Sequence, residues 1–210
     1  MTIYRTIKRG TSLIGMLLVC TFLLGWADTW EDIQRASSKI TSVSARFSQE
    51  KHMQILAKPL ISRGRFYFQT PDSVRWEYTA PVRSVLLMHK GKIKRYTQGS
   101  KGFVEDRGGA VDSMQFILQE IGRWSKGRFN ENEYFSATLK GGTGAHIILT
   151  PKEKGLAAMI SRIVITPSPD RPGVLKSVTI VESEENYTLF EFTDSQLNAP
   201  IAESLFREVE

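Results

Sequence analysis

Val43-Ser-Ala-Arg-Phe-Ser-Gln49, Arg63-Gly-Arg-Phe-Tyr-Phe-Gln69, Thr70-Pro-Asp-Ser73 and Val74-Arg-Trp-Glu-Tyr78 decide the fold. Each of the three longer runs alternates. Val43, Ala45 and Phe47 share one side of an extended chain, with Ser44, Arg46 and Ser48 on the other. Phe66 and Phe68 share a side, as do Val74, Trp76 and Tyr78, against Arg75 and Glu77. A period of two with apolar residues on one side is the signature of half-buried strands. Thr70-Pro-Asp-Ser73 is a turn by its chemistry: proline presets φ, and Asp and Ser bond to local backbone. Pro81 ends the last of these strands.

Working outward, Val85 to His89 and Ile93 to Gln98 read as a hairpin around Lys90-Gly91. The period then changes. Val111, Met114, Ile117, Leu118 and Ile121 recur at helical spacing between the glycines at 108–109 and Gly122. Strand patterns resume at 132–140, 145–150, 159–166, 174–182 and 187–194, with turns at Gly141-Gly-Thr-Gly144 and Glu184-Glu-Asn186. A short strand is expected over 205–209. Upstream, Asp28-Thr-Trp-Glu31 reads as a capping box, and Trp30, Ile33, Ala36 and Ile40 continue as a short amphipathic helix. The sum is about ten short antiparallel strands with one helix before them and one among them. Two helices are too few to cover such a sheet as a flat layer. The sheet is therefore expected to curl into an open or partial barrel, mainly β, with the helices across its mouth.

Residues 1–27 read as a cleaved signal peptide. Arg5, Lys8 and Arg9 precede an apolar run, and Gly25-Trp-Ala27 supplies small residues at the cleavage site. The apolar run Leu13 to Ala27 is 15 residues long, against the about 20 that span a bilayer. Cys20, the one cysteine, lies inside that run and is expected to leave with it. Residues 28–210 then form one domain. They keep 25 Lys+Arg against 22 Asp+Glu, too even a balance for a nucleic-acid partner.

Catalytic patterns are missing. There is no G-x-S-x-G, and His52, His89 and His146 sit on separate strand patterns at no metal-binding spacing. The Gly141–Gly144 run lacks the lysine and following helix of a phosphate loop. No enzyme, no metal and no cofactor are expected.

The order Phe47-Ser-Gln49, Gly64, Pro71, Val74-Arg-Trp-Glu-Tyr78 and Pro81 resembles the periplasmic outer-membrane lipoprotein carrier family, LolA. The resemblance implies an unclosed antiparallel β-barrel of ten or eleven strands with a helical lid over a hydrophobic cavity. It implies a monomeric periplasmic carrier that takes the acyl chains of lipoproteins, or another lipid cargo, into that cavity. Its implied partners are an inner-membrane lipoprotein-releasing ABC complex and an outer-membrane acceptor. On this reading the cavity and lid residues are Phe47, Phe66, Phe68, Val74, Trp76, Tyr78, Leu87, Met114, Ile117, Leu118 and Ile121. The family often places an arginine before the turn proline to latch the lid; here that position is Thr70. Two alternatives share the fold: a lipoprotein- or lipid-sensing regulatory protein, and a membrane-tethered acceptor with Cys20 as its lipidated residue.

Overall fold

The computed structural model describes residues 29–106, 120–130, 132–141, 146–171 and 173–209. The expected signal peptide, Asp28, the 142–145 part of the glycine turn and the helical positions Val111 to Leu118 lie outside the described residues.

Helix α1 (Trp30–Ser37) opens the fold. Its cap is Thr29, one residue later than the expected Asp28: the Thr29 hydroxyl accepts from the Asp32 amide. Glu31 and Asp32 in the first turn and Arg35 in the last complement the helix dipole. Ile33 on the inner face is buried.

Six strands follow: β1 (Ser42–His52), β2 (Leu60–Gln69), β3 (Ser73–Ala80), β4 (Ser84–His89), β5 (Lys92–Gly99) and β6 (Gly102–Asp106). The β4–β5 connection is Lys90-Gly91 with φ of 51° and 74°, the two left-handed residues of a hairpin turn whose twist suits the flanking strands. After the connection to β7 (Phe135–Lys140) come β8 (His146–Pro151), a short helix α2 (Lys154–Ala157), β9 (Arg162–Pro167), β10 (Leu175–Val181) and β11 (Tyr187–Leu197). A 3-10 turn, Glu203–Phe206, follows.

All eleven strands form one antiparallel sheet in the order β6-β5-β4-β3-β2-β1-β11-β10-β9-β8-β7. First and last strands pair in its middle. The edges are β6 and β7, which do not pair, so the sheet is an unclosed barrel. It is strongly curled. Trp76 on β3 and Phe190 on β11 are three strand spacings apart, about 14 Å in a flat sheet. Their ring centroids are 5.3 Å apart and nearly perpendicular.

Several sequence expectations are corrected. Strand β6 was not anticipated: it is short, edge-placed and rich in charge, so no alternation marks it. The 205–209 segment is a 3-10 turn and tail lying on the outer face of β3 and β4, not a strand. The mid-chain helix does not stop at Gly122 but continues to residue 124. Its stop is Gly127, with φ of 69°. The Gly127 amide donates to Trp124 O and the Arg128 amide to Arg123 O, the bonding of a Schellman cap. Strand β7 starts at 135 rather than 132 because the Asn132 carboxamide accepts from the Tyr134 and Phe135 amides, folding a turn there.

Two apolar clusters fill the concave side. Phe47, Phe66, Phe68, Val74, Trp76, Leu86 and Met88 form one over β1 to β4. The other joins Ile33 and Trp124 to Phe129, Phe135, Ile147, Leu149, Ile163, Ile165 and Val178. Ile121, Phe190 and Phe192 touch both.

Candidate functional site

The space between the two clusters is a cavity of about 420 Å³, within the range of about 300–1,000 Å³ typical of small-molecule sites. Strand alternation aims the side chains into it. Val43 and Ala45 come from β1, Phe66 from β2, Trp76 and Tyr78 from β3, Leu86 from β4, and Phe190 and Phe192 from β11. Val178 and Ile180 of β10 and Ile163 of β9 face them. Ile121 and Trp124 close the space from the connection between the two edge strands.

The expected residues divide as follows. Phe66, Trp76, Tyr78 and Ile121 border the cavity. Phe47, Phe68 and Val74 share the concave face but lie in the packed cluster, not on the free volume; Phe68 and Val74 are fully buried. Leu87 is corrected: it pairs with Arg75 and faces the convex side, while Leu86 and Met88 face inward. Met114, Ile117 and Leu118 lie outside the described residues. Phe190, Phe192, Ile163, Val178 and Ile180 were missed. Phe190-Glu191-Phe192 carried the signal: an alternating pair with a charge between, like Phe66 and Phe68.

Few polar groups reach the cavity. The Tyr78 hydroxyl donates to Gln49 Oε1 at 2.5 Å, and burial pushes the phenol pKa up. Lys51 lines the space and lies 3.8 Å from Glu182. The deepest charge is Glu120, 1% exposed. Its carboxylate accepts from the Asn132 amide and from Arg123 Nη1 at 3.1 Å. Asn132 O in turn accepts from Lys152 Nζ at 2.7 Å. The network fastens the helical residues 120–124 to the start of β7 and the end of β8. Burial is the largest influence on Glu120 and raises its pKa; Asn132, Arg123 and Trp124 offset part of this.

A raised carboxyl pKa means that the folded state holds a proton the unfolded chain has released. Stability from this group is therefore lost as pH rises from the unfolded pKa through the folded one. Glu120→Gln keeps an acceptor for Asn132 and removes that dependence. Its stability relative to the parent, measured by urea unfolding at several pH values, is expected to increase from acid to neutral. A constant difference would contradict the assignment.

The outer face holds a row of Ser73, His89 and Glu203. Ser73 Oγ is 2.8 Å from His89 Nδ1, and His89 Nε2 is 3.3 Å from Glu203 Oε1. Ser73 is buried and lies outside the cavity, and the row ties β3 and β4 to the C-terminal turn. His52 stacks on Tyr187 and His146 meets Thr166. Among the described residues no group of His, Cys, Asp and Glu is arranged to hold a metal ion.

Residues 38–208 match the family model described as outer membrane lipoprotein carrier protein LolA. The outer-membrane lipoprotein carrier protein of Proteus mirabilis is 25% identical over 201 residues, covering 91% of this chain and 92% of that protein. The Yersinia pestis protein of the same description is 24% identical over 191 residues, covering 86% and 87%. Among solved structures, a chain of the Pseudomonas aeruginosa MucA/MucB complex shares the fold with a TM-score of 0.50 and 13% identity. The alignment covers 87% of this chain and 61% of that one. With the open eleven-stranded sheet and the apolar hollow between its clusters, the family match over most of the sequence places this chain in the LolA family of outer membrane lipoprotein carrier proteins.

Proposed function

We propose that the protein is a periplasmic carrier that takes acyl chains of lipoproteins, or of a related lipid, into this cavity. The observation that carries the reading is the apolar volume of about 420 Å³ between two packed clusters. Each methylene moved from water into such a site gains about 0.8 kcal/mol. Aromatic and aliphatic walls hold chains without directional bonds, so release to a further acceptor stays open. On this reading residues 1–27 are removed on export and 28–210 act as one unit. Cargo comes from an inner-membrane ABC complex and passes to an outer-membrane acceptor.

The test is a lipoprotein-transfer assay from inner-membrane vesicles, with bound lipid identified by mass spectrometry. Ile180→Glu puts a carboxylate at a half-buried position of the cavity wall, where only opening or neutralisation accommodates it. Transfer is expected to fall by about tenfold or more, in line with a charge excluded from an apolar site. Thr179→Glu, on the neighbouring residue of the opposite face, is expected to retain transfer. Equal transfer by both folded variants, or protein that is empty under all loading conditions, would refute the reading.

A further inference from the structure

The turns of an antiparallel meander fall alternately at its two ends. The β1–β2, β3–β4, β5–β6, β8–β9 and β10–β11 connections share one end, where β1 finishes at His52. The opposite end is covered by α1 and its exit: Ile40 and Ala36 meet Gly173 of the β9–β10 loop, and the Thr70 amide donates to Thr41 O.

The large hydrophobic side chains left exposed among the described residues all lie at or beside the end where β1 finishes. Ile55 and Leu56 are 85% and 38% exposed on the β1–β2 tip, and Leu60 and Ile61 are 53% and 50% exposed at the start of β2. Successive strand residues point to opposite faces, so Leu60 and Ile61 show that neither face of this hairpin end is covered. It projects on the β3 side, where β3 first pairs with β2 at Arg63, while on the other side β1 stays paired with β11 through His52. Val82 lies on the β3–β4 turn, Val104 two residues into β6 and Met159 on the β8–β9 connection.

The charge on this end is not even. Residues 53–63, 81–83 and 99–104 contain Lys58, Arg63, Arg83 and Lys101 and no carboxylate. The Arg83 guanidinium lies 5.1 Å over the Phe103 ring, joining the β3–β4 turn to the β5–β6 hairpin. The acidic residues in the connections of this end sit beside that stretch: Glu182, Glu184 and Glu185 on the β10–β11 tip, and Glu153 on the β8–β9 connection between Lys152 and Lys154. The cavity lining extends toward this end: Lys51, which borders it, is 38% exposed in its side chain.

We propose that this end is a membrane-docking rim. The β1–β2 tip enters the headgroup layer of an anionic bilayer, and Lys58, Arg63, Arg83 and Lys101 meet lipid phosphates, so that the Lys51 side of the cavity faces the membrane. Apolar insertion and basic attraction are the two contributions that hold peripheral proteins to anionic lipid. Scattered single hydrophobics on a surface need no such explanation, but seven confined to one end do. The link to cargo delivery rests on the carrier reading; the docking itself does not.

The test is sedimentation of the chain lacking residues 1–27 with vesicles of phosphatidylglycerol and phosphatidylethanolamine, against phosphatidylcholine alone. Binding to the anionic vesicles is expected, weakening as salt rises. The double variant Ile55→Asp, Leu56→Asp is expected to lower the partition coefficient by about tenfold. Arg83→Glu with Lys101→Glu is expected to lower it on anionic vesicles and not on phosphatidylcholine. Circular dichroism and bound-lipid mass spectrometry on each variant separate a lost rim from a lost cavity. Parent protein that ignores anionic vesicles, or a tip variant that binds them as well as the parent, overturns the proposal. Loss of transfer by the tip variant while the parent binds no vesicles would assign the rim to a protein partner and overturn it equally.

Discussion

Arg75→Glu is expected to cost about 3–5 kcal/mol of stability, the range for breaking a buried ion pair by removing one partner. Arg75 faces the convex side and is nonetheless 7% exposed, because the C-terminal tail lies over it. Its guanidinium donates from two nitrogens. Nε donates to Glu77 at 2.9 Å, and Nη1 donates to the carbonyls of Leu205 and Glu208 at 2.9 and 2.7 Å. Phe206 of the same tail is 2% exposed and stacks on His89. A glutamate at 75 faces Glu77 with a second carboxylate and leaves two carbonyls without their donor. The tail is expected to detach, exposing Phe206, Val85 and Leu87. Urea unfolding gives the loss; hydrogen exchange gives its place, with protection lost first over 203–208 and along the outer side of β4. An exposed, freely substituted Arg75, the expectation for an outward strand residue, would leave both measurements unchanged. For this reason a charge reversal at 75 is not a neutral control for cavity variants.

Gly64→Ala is the second large effect, of about 3 kcal/mol or more, the upper range of overpacking. A Cβ at Gly64 would stand 2.1 Å from the carbonyl oxygen of Glu77 and 2.4 Å from the Phe47 ring. Neither yields cheaply. The carbonyl belongs to β3, at a point where the β2–β3 register shifts. Phe47 lies 4.6 Å from Trp76 and 5.3 Å from Tyr78, ring to ring. The missing side chain is what lets Phe47 cross β2 and reach the aromatic residues of β3. Phe47→Leu in the Gly64→Ala background is expected to recover part of the loss, and a double-mutant cycle would show the coupling. Additive losses would show that the two residues do not share this space.

Much of the sheet was legible because one face is apolar and the other polar. Phe66-Tyr67-Phe68 and Val74-Arg75-Trp76 fix their own phase, and both place their inward residues correctly. Ser84-Val-Leu-Leu-Met-His89 does not, because both of its faces are buried: one in the cluster with Trp76, the other under the C-terminal tail. A run with no polar partner has no phase to read, and Leu87 was assigned to the wrong side for that reason. The tail itself was unreadable as a cover. Its effect is to bury an arginine that alternation places outside. The polar network of Glu120, Asn132 and Lys152 was equally hidden, since three residues separated along the chain meet only once β7 and β8 have formed. Burial also decides what a charge at Val74 would report, for example in Val74→Glu. At 0% exposure inside the cluster it tests folding, whereas Ile180→Glu tests the cavity.

The pairing of β1 with β11 has a kinetic consequence. Val43 meets Leu197 and His52 meets Tyr187, so the seam joins the two ends of the sequence. Contacts of such long separation close late, since the loop entropy is lost before they repay it. Strands β1 to β6 and β7 to β11 are each runs of neighbours that can zip locally; only the seam brings them together. Phe190 and Phe192 belong to β11, while Trp76, Phe66 and Leu86 lie on the other side of that seam. A chain still emerging from synthesis therefore has no hollow, and the cavity takes shape only at the last step of folding.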